Sequence, residues 1–364
     1  MHDRKKGRVI IMAKVKIGVI GCGCIANAAH IPSYMKCEDA EIKYFCDIIP
    51  ERAQKAVEDY KCGIAVEDYH VVLDDPEIDA VSVCTPNLMH KVITIDALRA
   101  GKHVLCEKPA ARVYSEALEM QQVQHETGKI LNIGVVNRFK VQVQEARRLI
   151  QSGELGEVYH VFVNFREHRS IPGIGGAFTT KAIAGGGALI DWGVHRIDIV
   201  MYCMGDPKPL SVCGKTFSKI GCDIKNYAYR GMWSENTRDV NGTFDVDDSL
   251  TAFVRTEGPI ISIEGAWAQN IEKSDNYIDF LGTKGGIRLY YGGGFDYYRV
   301  MGQTFVKQEV NFDRDDMFQN EINSFVRCVQ TGEKLPSHID YAVLTSQIMQ
   351  GIYDSSEQDK EIVF

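Results

Sequence analysis

Residues 15–34 read VKIGVIGCGCIANAAHIPSY, and this stretch decides the fold of the first part of the chain. Its first six residues form an apolar run rich in valine and isoleucine, which is typical of a strand buried on both faces of a parallel sheet. Gly21, Gly23 and Ala26 follow in the spacing Gly-x-Gly-x-x-Ala, at the point where a helical pattern begins. This order of strand, glycine turn and helix is typical of a loop that binds the phosphates of a dinucleotide.

Each small residue of this loop has a physical role in such a site. Gly21 permits the tight turn, Gly23 lets the backbone approach a pyrophosphate, and Ala26 lets the helix pack closely against the strand. The phosphates would then lie at the N-terminus of the helix, next to Cys24 and Ile25. A glycine triplet alone is weak support in a chain with 33 glycines, but the flanking strand and helix strengthen it. We therefore expect these five residues to bind the cofactor.

The second strand-like run, EIKYFC at residues 41–46, ends at Asp47, 26 residues after Gly21. An acid near this distance binds the hydroxyls of the adenosine ribose. The same carboxylate would repel the extra phosphate of NADP, by about 1 to 4 kcal/mol for each charge pair about 4 Å apart. The sequence therefore predicts NAD as the cofactor. The alternative is that Asp47 only caps the helix that begins near Pro50, because Asp favours such positions.

The length of 364 residues is too great for a single core and predicts two domains. From residue 15 to about 135, short β-rich runs alternate with amphipathic helical segments, the pattern of βαβ units in a doubly wound parallel sheet. The later strand-like runs have few helices between them, which favours an open, mainly antiparallel sheet. We therefore predict an α/β protein with three parts: a disordered extension (1–14), an NAD-binding Rossmann domain (15–136) and an α/β domain for substrate binding and oligomerisation (137–364).

The composition excludes several classes of partner. The 41 basic and 49 acidic residues give a net charge of -8, so nucleic acid and anionic membranes are not expected partners. No apolar run approaches the roughly 18 residues of a membrane span. The 11 cysteines are scattered without a Cys-x-x-Cys pair. We therefore expect neither disulfides nor a metal site, and we place the protein in the reducing cytoplasm.

Two further segments carry side chains suited to chemistry. Cys106-Glu107-Lys108-Pro109 ends a strand-like run, and residues 185–195 read GGGALIDWGVH. Lys108 would leave the carboxyl edge of a parallel sheet, where such sheets bind ligands, and its ammonium could donate a hydrogen bond to a substrate oxygen. Asp191 and His195 are four residues apart, which places them on one face of a helix. Neutral histidine suits the removal of a hydroxyl proton.

Together with the glycine loop, these segments resemble the Gfo/Idh/MocA family, the glucose-fructose oxidoreductase and inositol dehydrogenase group. The resemblance extends from Val15 to the end of the chain. It includes five further segments: Thr85-Pro86-Asn87 with His90, Arg138-Phe139, Leu155-Gly156, Gly282-Thr283-Lys284-Gly285 and the closing segment from Phe325 to Gly332. It implies a Rossmann domain followed by an α/β domain whose open sheet builds homo-oligomer contacts.

The resemblance also implies roles for individual residues. The catalytic residues would be Lys108, Asp191 and His195, with the formal base open between Lys108 and His195 because coupled groups can exchange a proton. Further cofactor contacts would be Thr85, Pro86, Asn87, His90, Glu107, Lys108 and Asn137. Substrate contacts would be Lys108, Arg166, Asp191 and His195. Taken without the resemblance, Lys108 fits a solvated turn and Asp191 and His195 fit a pair on a helix surface.

The implied function is reversible, NAD-dependent oxidation of a secondary hydroxyl of a sugar, glycoside or cyclic polyol, for example glucoside 3-oxidation or inositol oxidation. Two alternatives stay open. One is an NAD-dependent enzyme that cleaves glycosides through transient oxidation. The other is a non-catalytic NAD-sensing regulator, which the three catalytic residues disfavour. The sequence does not determine which sugar and hydroxyl react, the physiological direction, whether NAD leaves after each turnover, or the number of subunits.

Three other segments receive structural interpretations. The acidic run from Asp245 to Asp248 lacks the spacing of a calcium loop and is interpreted as a solvated turn. The aromatic residues between Tyr290 and Tyr298 are interpreted as hairpin and subunit packing. The glycines at 185–187 fit either a close backbone approach or a flexible loop.

Overall fold

The computed structural model describes residues 13–228, 238–313 and 315–364. Residues 1–12, most of the predicted extension, lie outside these ranges. Within them, no helix combines the length and the apolar character of a membrane span. All eleven cysteines are free.

The first sheet consists of six parallel strands in the order β3-β2-β1-β4-β5-β6. Its strands are β1 (Val15–Ile20), β2 (Ala40–Cys46), β3 (Ile64–Val66), β4 (Ala80–Val83), β5 (His103–Glu107) and β6 (Leu131–Gly134). Its helices are α1 (Ile31–Lys36), α2 (Pro50–Tyr60), α3 (Tyr69–Asp74), α4 (Asn87–Arg99) and α5 (Tyr114–Thr127). The strand order reverses between β1 and β4, and doubly wound sheets bind ligands outside the carboxyl ends of the strands at such a point. The predicted Rossmann architecture is confirmed.

The second sheet has nine strands in the order β14-β13-β12-β11-β7-β10-β9-β8-β15. Its strands are β7 (Val158–Arg166), β8 (Pro209–Phe217), β9 (Ser249–Thr256), β10 (Ile260–Ala266), β11 (Asp275–Gly282), β12 (Gly285–Tyr290), β13 (Phe295–Met301), β14 (Thr304–Val310) and β15 (Ile362–Val363). Strands β7 and β10 pair in parallel, and the other pairs are antiparallel. The predicted open, mainly antiparallel sheet is therefore confirmed.

Helices cover one face of this second sheet. They include α6 (Val141–Gln151), α8 (Val194–Met204) and α10 (Ile339–Gln358), while α7 (Lys181–Ala184) is a single turn in a loop. Val161, Val163 and Phe165 of β7 point into the core beneath the helices and are fully buried. The alternate residues of the strands face the other side, where Phe253 of β9 is 38% exposed.

The last two helices return to the first sheet. Helix α9 (Met317–Thr331) buries Ile322 and Phe325 in the same apolar cluster as Ile17 of β1. The start of α10 buries Ile339 and Val343 in the cluster on the other side of that sheet. The core of the nucleotide-binding part thus includes residues from the end of the chain. The division at residues 136 and 137 stays a prediction.

Candidate active site

The glycine loop follows β1 and leads into a π-helical turn, Ala26–His30, and then into α1. Gly21 has a φ of +93°, and a Cβ there would lie 2.6 Å from the carbonyl oxygen of Cys84, so only glycine fits. A Cβ on Gly23 would meet no heavy atom within 4 Å. This face of the loop therefore leaves room for a pyrophosphate at the helix N-terminus.

Asp47 directly follows β2 and is buried. One carboxylate oxygen accepts a hydrogen bond from the backbone N–H of Cys22 (2.8 Å), and the other accepts one from Ile49 (2.9 Å). The carboxylate therefore braces the glycine loop and also holds the turn that leads into α2, although the N–H groups of the helix itself receive no side-chain cap. Each oxygen keeps acceptor capacity for a ribose hydroxyl, so both roles are compatible.

The segment after β4 supports the loop and links it to the second sheet. Oγ1 of Thr85 is buried without a hydrogen-bond partner among the described residues. Nδ2 of Asn87, which follows Pro86 at the start of α4, donates to the carbonyl of Ala184 (2.8 Å). Thr85 thus offers a free polar group to a dinucleotide, whereas Asn87 joins the two parts of the protein.

His90 and Glu107 lie beneath the site rather than on its surface. His90 is fully buried, and its ring nitrogens contact the carbonyls of Pro109 (2.8 Å) and Thr85 (2.9 Å). Glu107 contacts His30 (2.8 Å) and accepts from the N–H of Lys108 (3.0 Å). Burial raises the pKa of Glu107, but His30 and Lys108 outweigh burial and lower it. Both residues hold the segment that carries Lys108 in place, so the structure points to positioning rather than direct cofactor contact.

Lys108 and Asp191 meet from the two halves of the chain. The ammonium of Lys108 lies 3.1 Å from Oδ1 of Asp191 and 3.3 Å from its carbonyl oxygen. The side chain of Lys108 is 18% exposed and that of Asp191 is 6% exposed. Oδ2 of Asp191 is buried without a partner among the described residues. The pair is therefore largely buried, with one carboxylate oxygen still able to accept a hydrogen bond.

His195 lies in the first turn of α8, after a π-helical turn at Leu189–Gly193 that contains Asp191. Such turns occur frequently at functional sites. His195 contacts Nδ2 of Asn137 through Nδ1 (3.1 Å), while Asp191 pairs with Lys108. Burial lowers the pKa of His195 well below its ordinary value, and the charges of Lys108, Arg196 and Lys140 lower it further. His195 is therefore neutral near pH 7, which suits a proton acceptor.

The acidic run before β9 is not a solvated turn, and that interpretation is wrong for Asp247 and Asp248. Asp247 is buried and accepts from the N–H groups of Gly187 (2.8 Å) and Leu189 (2.9 Å) and from the hydroxyl of Tyr353 (2.7 Å). Asp248 is fully buried and accepts three backbone N–H groups of residues 219–221. The acidic run in the sequence did not indicate that these two carboxylates are buried and paired, because the hydrogen-bond donors are mainly backbone groups distant in sequence.

The glycines at 185–187 are required by close packing. A Cβ on Gly187 would lie 1.9 Å from the carbonyl oxygen of Asp247, and one on Gly185 would lie 2.6 Å from that of Arg112. Arg112 also donates to the carbonyl of Ala182 (2.8 Å). The loop that leads to Asp191 is therefore held from both sides and fits the close-approach interpretation.

Arg166 is placed away from the other predicted site residues. Its Nε donates to Oδ1 of Asn164 (3.0 Å), two residues earlier on β7. Side chains two apart share a face of a strand, and the adjacent Phe165 points into the core beneath α8. Arg166 thus lies on the open face, opposite to His195, and the expected substrate contact has no support in this geometry.

The fold and the site together define a dinucleotide-linked oxidoreductase. Residues 15–135 match the family model described as "Oxidoreductase family, NAD-binding Rossmann fold", and residues 143–288 match the GFO/IDH/MocA C-terminal domain. D-glucoside 3-dehydrogenase of Escherichia coli (strain K12) is 31% identical over 345 residues, which are 94% of this chain and 95% of that protein. The chain belongs to the Gfo/Idh/MocA oxidoreductase family.

Two solved structures share the whole architecture. Aldose-aldose oxidoreductase from Caulobacter crescentus, complexed with glycerol, aligns with a TM-score of 0.80 and 22% identity over 96% of this chain and all of that chain. Levoglucosan dehydrogenase, in complex with NADH and levoglucosan, aligns with a TM-score of 0.83 and 21% identity over 96% of this chain and 99% of that chain. At such identities the likeness shows the fold alone.

Proposed function

We propose that this chain is an NAD-dependent dehydrogenase that reversibly oxidises a secondary hydroxyl of a sugar, glycoside or cyclic polyol. The observation that carries the proposal is the meeting of Lys108 and Asp191 from the two halves of the chain, with neutral His195 nearby. The similarity to D-glucoside 3-dehydrogenase favours oxidation at the 3-position of a glucoside.

The residues of the first sheet fit NAD. The open face of Gly23 and the start of the helix would hold the phosphates, and Asp47 would bind the adenosine ribose. The unpartnered hydroxyl of Thr85 would donate a hydrogen bond to the cofactor. Bound NAD supplies a nicotinamide that accepts the hydride of the substrate carbon.

The catalytic residues would divide the proton chemistry between them. Lys108 would donate a hydrogen bond to the reacting oxygen and stabilise its alkoxide character. His195 would remove the hydroxyl proton, because it is neutral and therefore able to accept one. Asp191 would hold the ammonium of Lys108 toward the substrate through the 3.1 Å contact.

The test is NADH formation by the purified chain with NAD and a panel of inositols, free hexoses and glucosides. We expect absorbance of NADH with at least one glycoside or polyol and a ketone at one ring carbon of the product. Release of a free sugar without net NADH would instead identify the glycoside-cleaving alternative. Tight NAD binding without conversion of any substrate would identify the regulator.

Assembly and compartment are part of the proposal. The open face of the second sheet carries exposed aromatic residues, including Phe253, Tyr290 and Tyr298, and we propose that it is buried in a homo-oligomer. The eleven free cysteines support a reducing compartment, the cytoplasm.

A further inference from the structure

Tyr291 follows strand β12 and lies next to the candidate active site. The guanidinium carbon of Arg196 lies 3.7 Å from the centre of its ring, and the ammonium of Lys140 lies 4.7 Å from it. The phenol oxygen is 3.4 Å from Nδ2 of Asn137, the atom that also contacts His195. A single amide group therefore joins the phenol to the proposed base.

Positive charge surrounds this phenol from three segments. Arg196 lies on α8, Lys140 directly precedes α6, and Lys108 follows β5. Within the described ranges, Arg196 and Lys140 form no ion pair with a carboxylate. The acids near them are engaged with other groups: Asp191 with Lys108, Asp315 with the N–H of Val141 and Glu167 with the hydroxyl of Ser274.

These charges favour loss of the phenol proton. Burial raises the pKa of Tyr291, but Arg196, Lys140, the hydrogen bond from Asn137 and Lys108 together outweigh burial, and the pKa lies below the ordinary value for tyrosine. Tyr291 therefore changes from phenol to phenolate at a lower pH than an ordinary tyrosine does. The two forms differ in hydrogen bonding, because a phenolate can only accept.

The amide of Asn137 can face its two neighbours in two ways. In the structure its Nδ2 donates both to Nδ1 of His195 and to the phenol oxygen, and its Oδ1 is buried without a partner among the described residues. Nδ1 of neutral His195 then accepts, so its proton is on Nε2. With the amide turned over, Oδ1 accepts from the phenol O–H and from Nδ1–H, and Nε2 holds a lone pair.

The state of the phenol selects between these arrangements. A phenolate needs donors, which favours Nδ2 toward Tyr291. A neutral phenol can donate its proton, and turning the amide over would bring Oδ1 of Asn137, which has no partner among the described residues, to the place from which Nδ2 contacts the phenol. Turning the amide over moves the proton from one nitrogen of the His195 ring to the other. An arrangement that leaves a buried polar group unpaired is disfavoured by about 1 to 3 kcal/mol.

We propose that Tyr291 is a positioning residue which, through the amide of Asn137, decides which ring nitrogen of His195 carries the proton. This inference rests on the proposed function, in which His195 is the base. Nε2 is able to take the substrate proton only while Tyr291 is protonated and donates to Asn137. Oxidation therefore needs the neutral phenol, and ionisation of Tyr291 turns His195 from an acceptor into a donor at Nε2.

The direct test is ¹⁵N spectroscopy of histidine-labelled protein without NAD or substrate, with the His195 signals identified by their loss in His195→Gln. We expect the proton to move from Nδ1 to Nε2 as the pH rises through the ionisation of Tyr291, which is followed by the phenolate absorbance. In Tyr291→Phe we expect no such move. Tyr290→Phe is the matched control, because that hydroxyl donates to Asp296 outside the site, and it should behave as the unmodified protein does.

A second variant fixes one arrangement. Asn137→Asp replaces the amide by an acceptor, so His195 should keep its proton on Nδ1 throughout the same pH range. Melting temperatures show whether each variant is folded. A His195 tautomer that does not change while Tyr291 ionises, or that changes equally in Tyr291→Phe, overturns the proposal.

The kinetic test uses the pH dependence of kcat. In the unmodified protein and in Tyr290→Phe, oxidation should fall by about tenfold per pH unit above the ionisation of Tyr291. Tyr291→Phe should lose less than about twofold over the same interval, at nearly unchanged KM. A retained alkaline fall contradicts the proposal. A chain that oxidises no member of the panel refutes the proposed function, whereas the tautomer measurement is independent of turnover.

Discussion

His195 lies among cations that oppose its own protonation, and this has a consequence for the pH dependence of activity. A base works when deprotonated, and burial together with Lys108, Arg196 and Lys140 lowers the pKa of His195 well below its ordinary value. We therefore expect kcat/KM for oxidation to persist to a pH well below about 6.5, where an unperturbed histidine becomes charged. A pH profile measures this, and an acidic fall centred at or above that pH would contradict it. Lys108→Met should move the fall to higher pH, because one cation is removed.

The assignment of chemistry to Lys108 and His195 predicts a large loss of turnover at each position. His195→Gln and Lys108→Met should each lower kcat by about 10² to 10⁴, the usual range for a positioned acid or base. NAD affinity should change little, because in the proposed function the phosphates and ribose would be bound by the loop at Gly21 and by Asp47. Lys36→Met, an exposed lysine on α1, is the control and should keep full turnover. Near-normal kcat in either variant removes that residue from the mechanism.

The carboxylate of Asp47 leads us to expect that the enzyme prefers NAD over NADP. Asp47→Ser should narrow the preference for NAD over NADP by about tenfold, because the carboxylate that repels the NADP phosphate is removed; this corresponds to about 1.4 kcal/mol. The variant should also bind NAD more weakly, since the hydrogen bond to Cys22 that braces the loop is lost. The ratio of kcat/KM for the two cofactors is the measurement. Equal use of both by the unmodified protein would show that Asp47 does not select.

Functional side chains that belong to a local sequence motif could be predicted from the sequence. Lys108, Asp191 and His195 stand in recognisable segments, and the structure brings Lys108 and Asp191 into contact. Tyr291 and Asp247 could not be found in this way, because their partners are distant in sequence. Tyr291 was interpreted as packing within an aromatic hairpin, and only the placement of Arg196 and Asn137 gives it another role.

The π-helical turn before α8 depends on Asp247. Its carboxylate binds the N–H groups of Gly187 and Leu189 and the hydroxyl of Tyr353. Asp247→Ala should lower the free energy of unfolding by about 3 kcal/mol, because buried donors lose a charged acceptor. Tyr353→Phe should cost less, since both backbone donors keep their partner. Urea unfolding measures both.

The control for this loop is Asp245→Ala, two residues earlier and exposed. It should change the stability by no more than about 1 kcal/mol, as is usual at the surface. Equal effects of Asp245→Ala and Asp247→Ala would mean that burial of the carboxylate is not the cause. Turnover should fall more than NAD affinity in Asp247→Ala, because the turn carries Asp191 and leads into His195.

The alternation of strands and helices could be predicted from the sequence, whereas the shortest strands could not. Helices α5 and α9 each end at a glycine in the left-handed region, Gly128 and Gly332, and a glycine in this place is a signal that the sequence itself carries. Strand β3 has three residues and β15 has two. Such strands exist through pairing with a neighbour rather than through a pattern of their own, so a single sequence does not reveal them.

The open face of the second sheet predicts that the protein self-associates. We expect sedimentation at micromolar concentration to give an oligomer, and Phe253→Asp to shift it toward the monomer by placing a charge in the interface. Leu118→Asp on α5 is the control, because Leu118 is 38% exposed, as is Phe253, but lies on the first domain. A stable monomer of the unmodified chain would contradict the expected assembly.

The return of α9 and α10 to the first sheet has a consequence for the synthesis of the protein on the ribosome. The six parallel strands leave the ribosome early, but the apolar surfaces that Phe325 and Ile339 cover stay exposed to solvent until the last helices are made. During that interval the nascent chain exposes apolar surface that chaperones or other chains can bind. A premature stop codon before residue 317 would thus remove a wall of the nucleotide-binding domain rather than a dispensable tail.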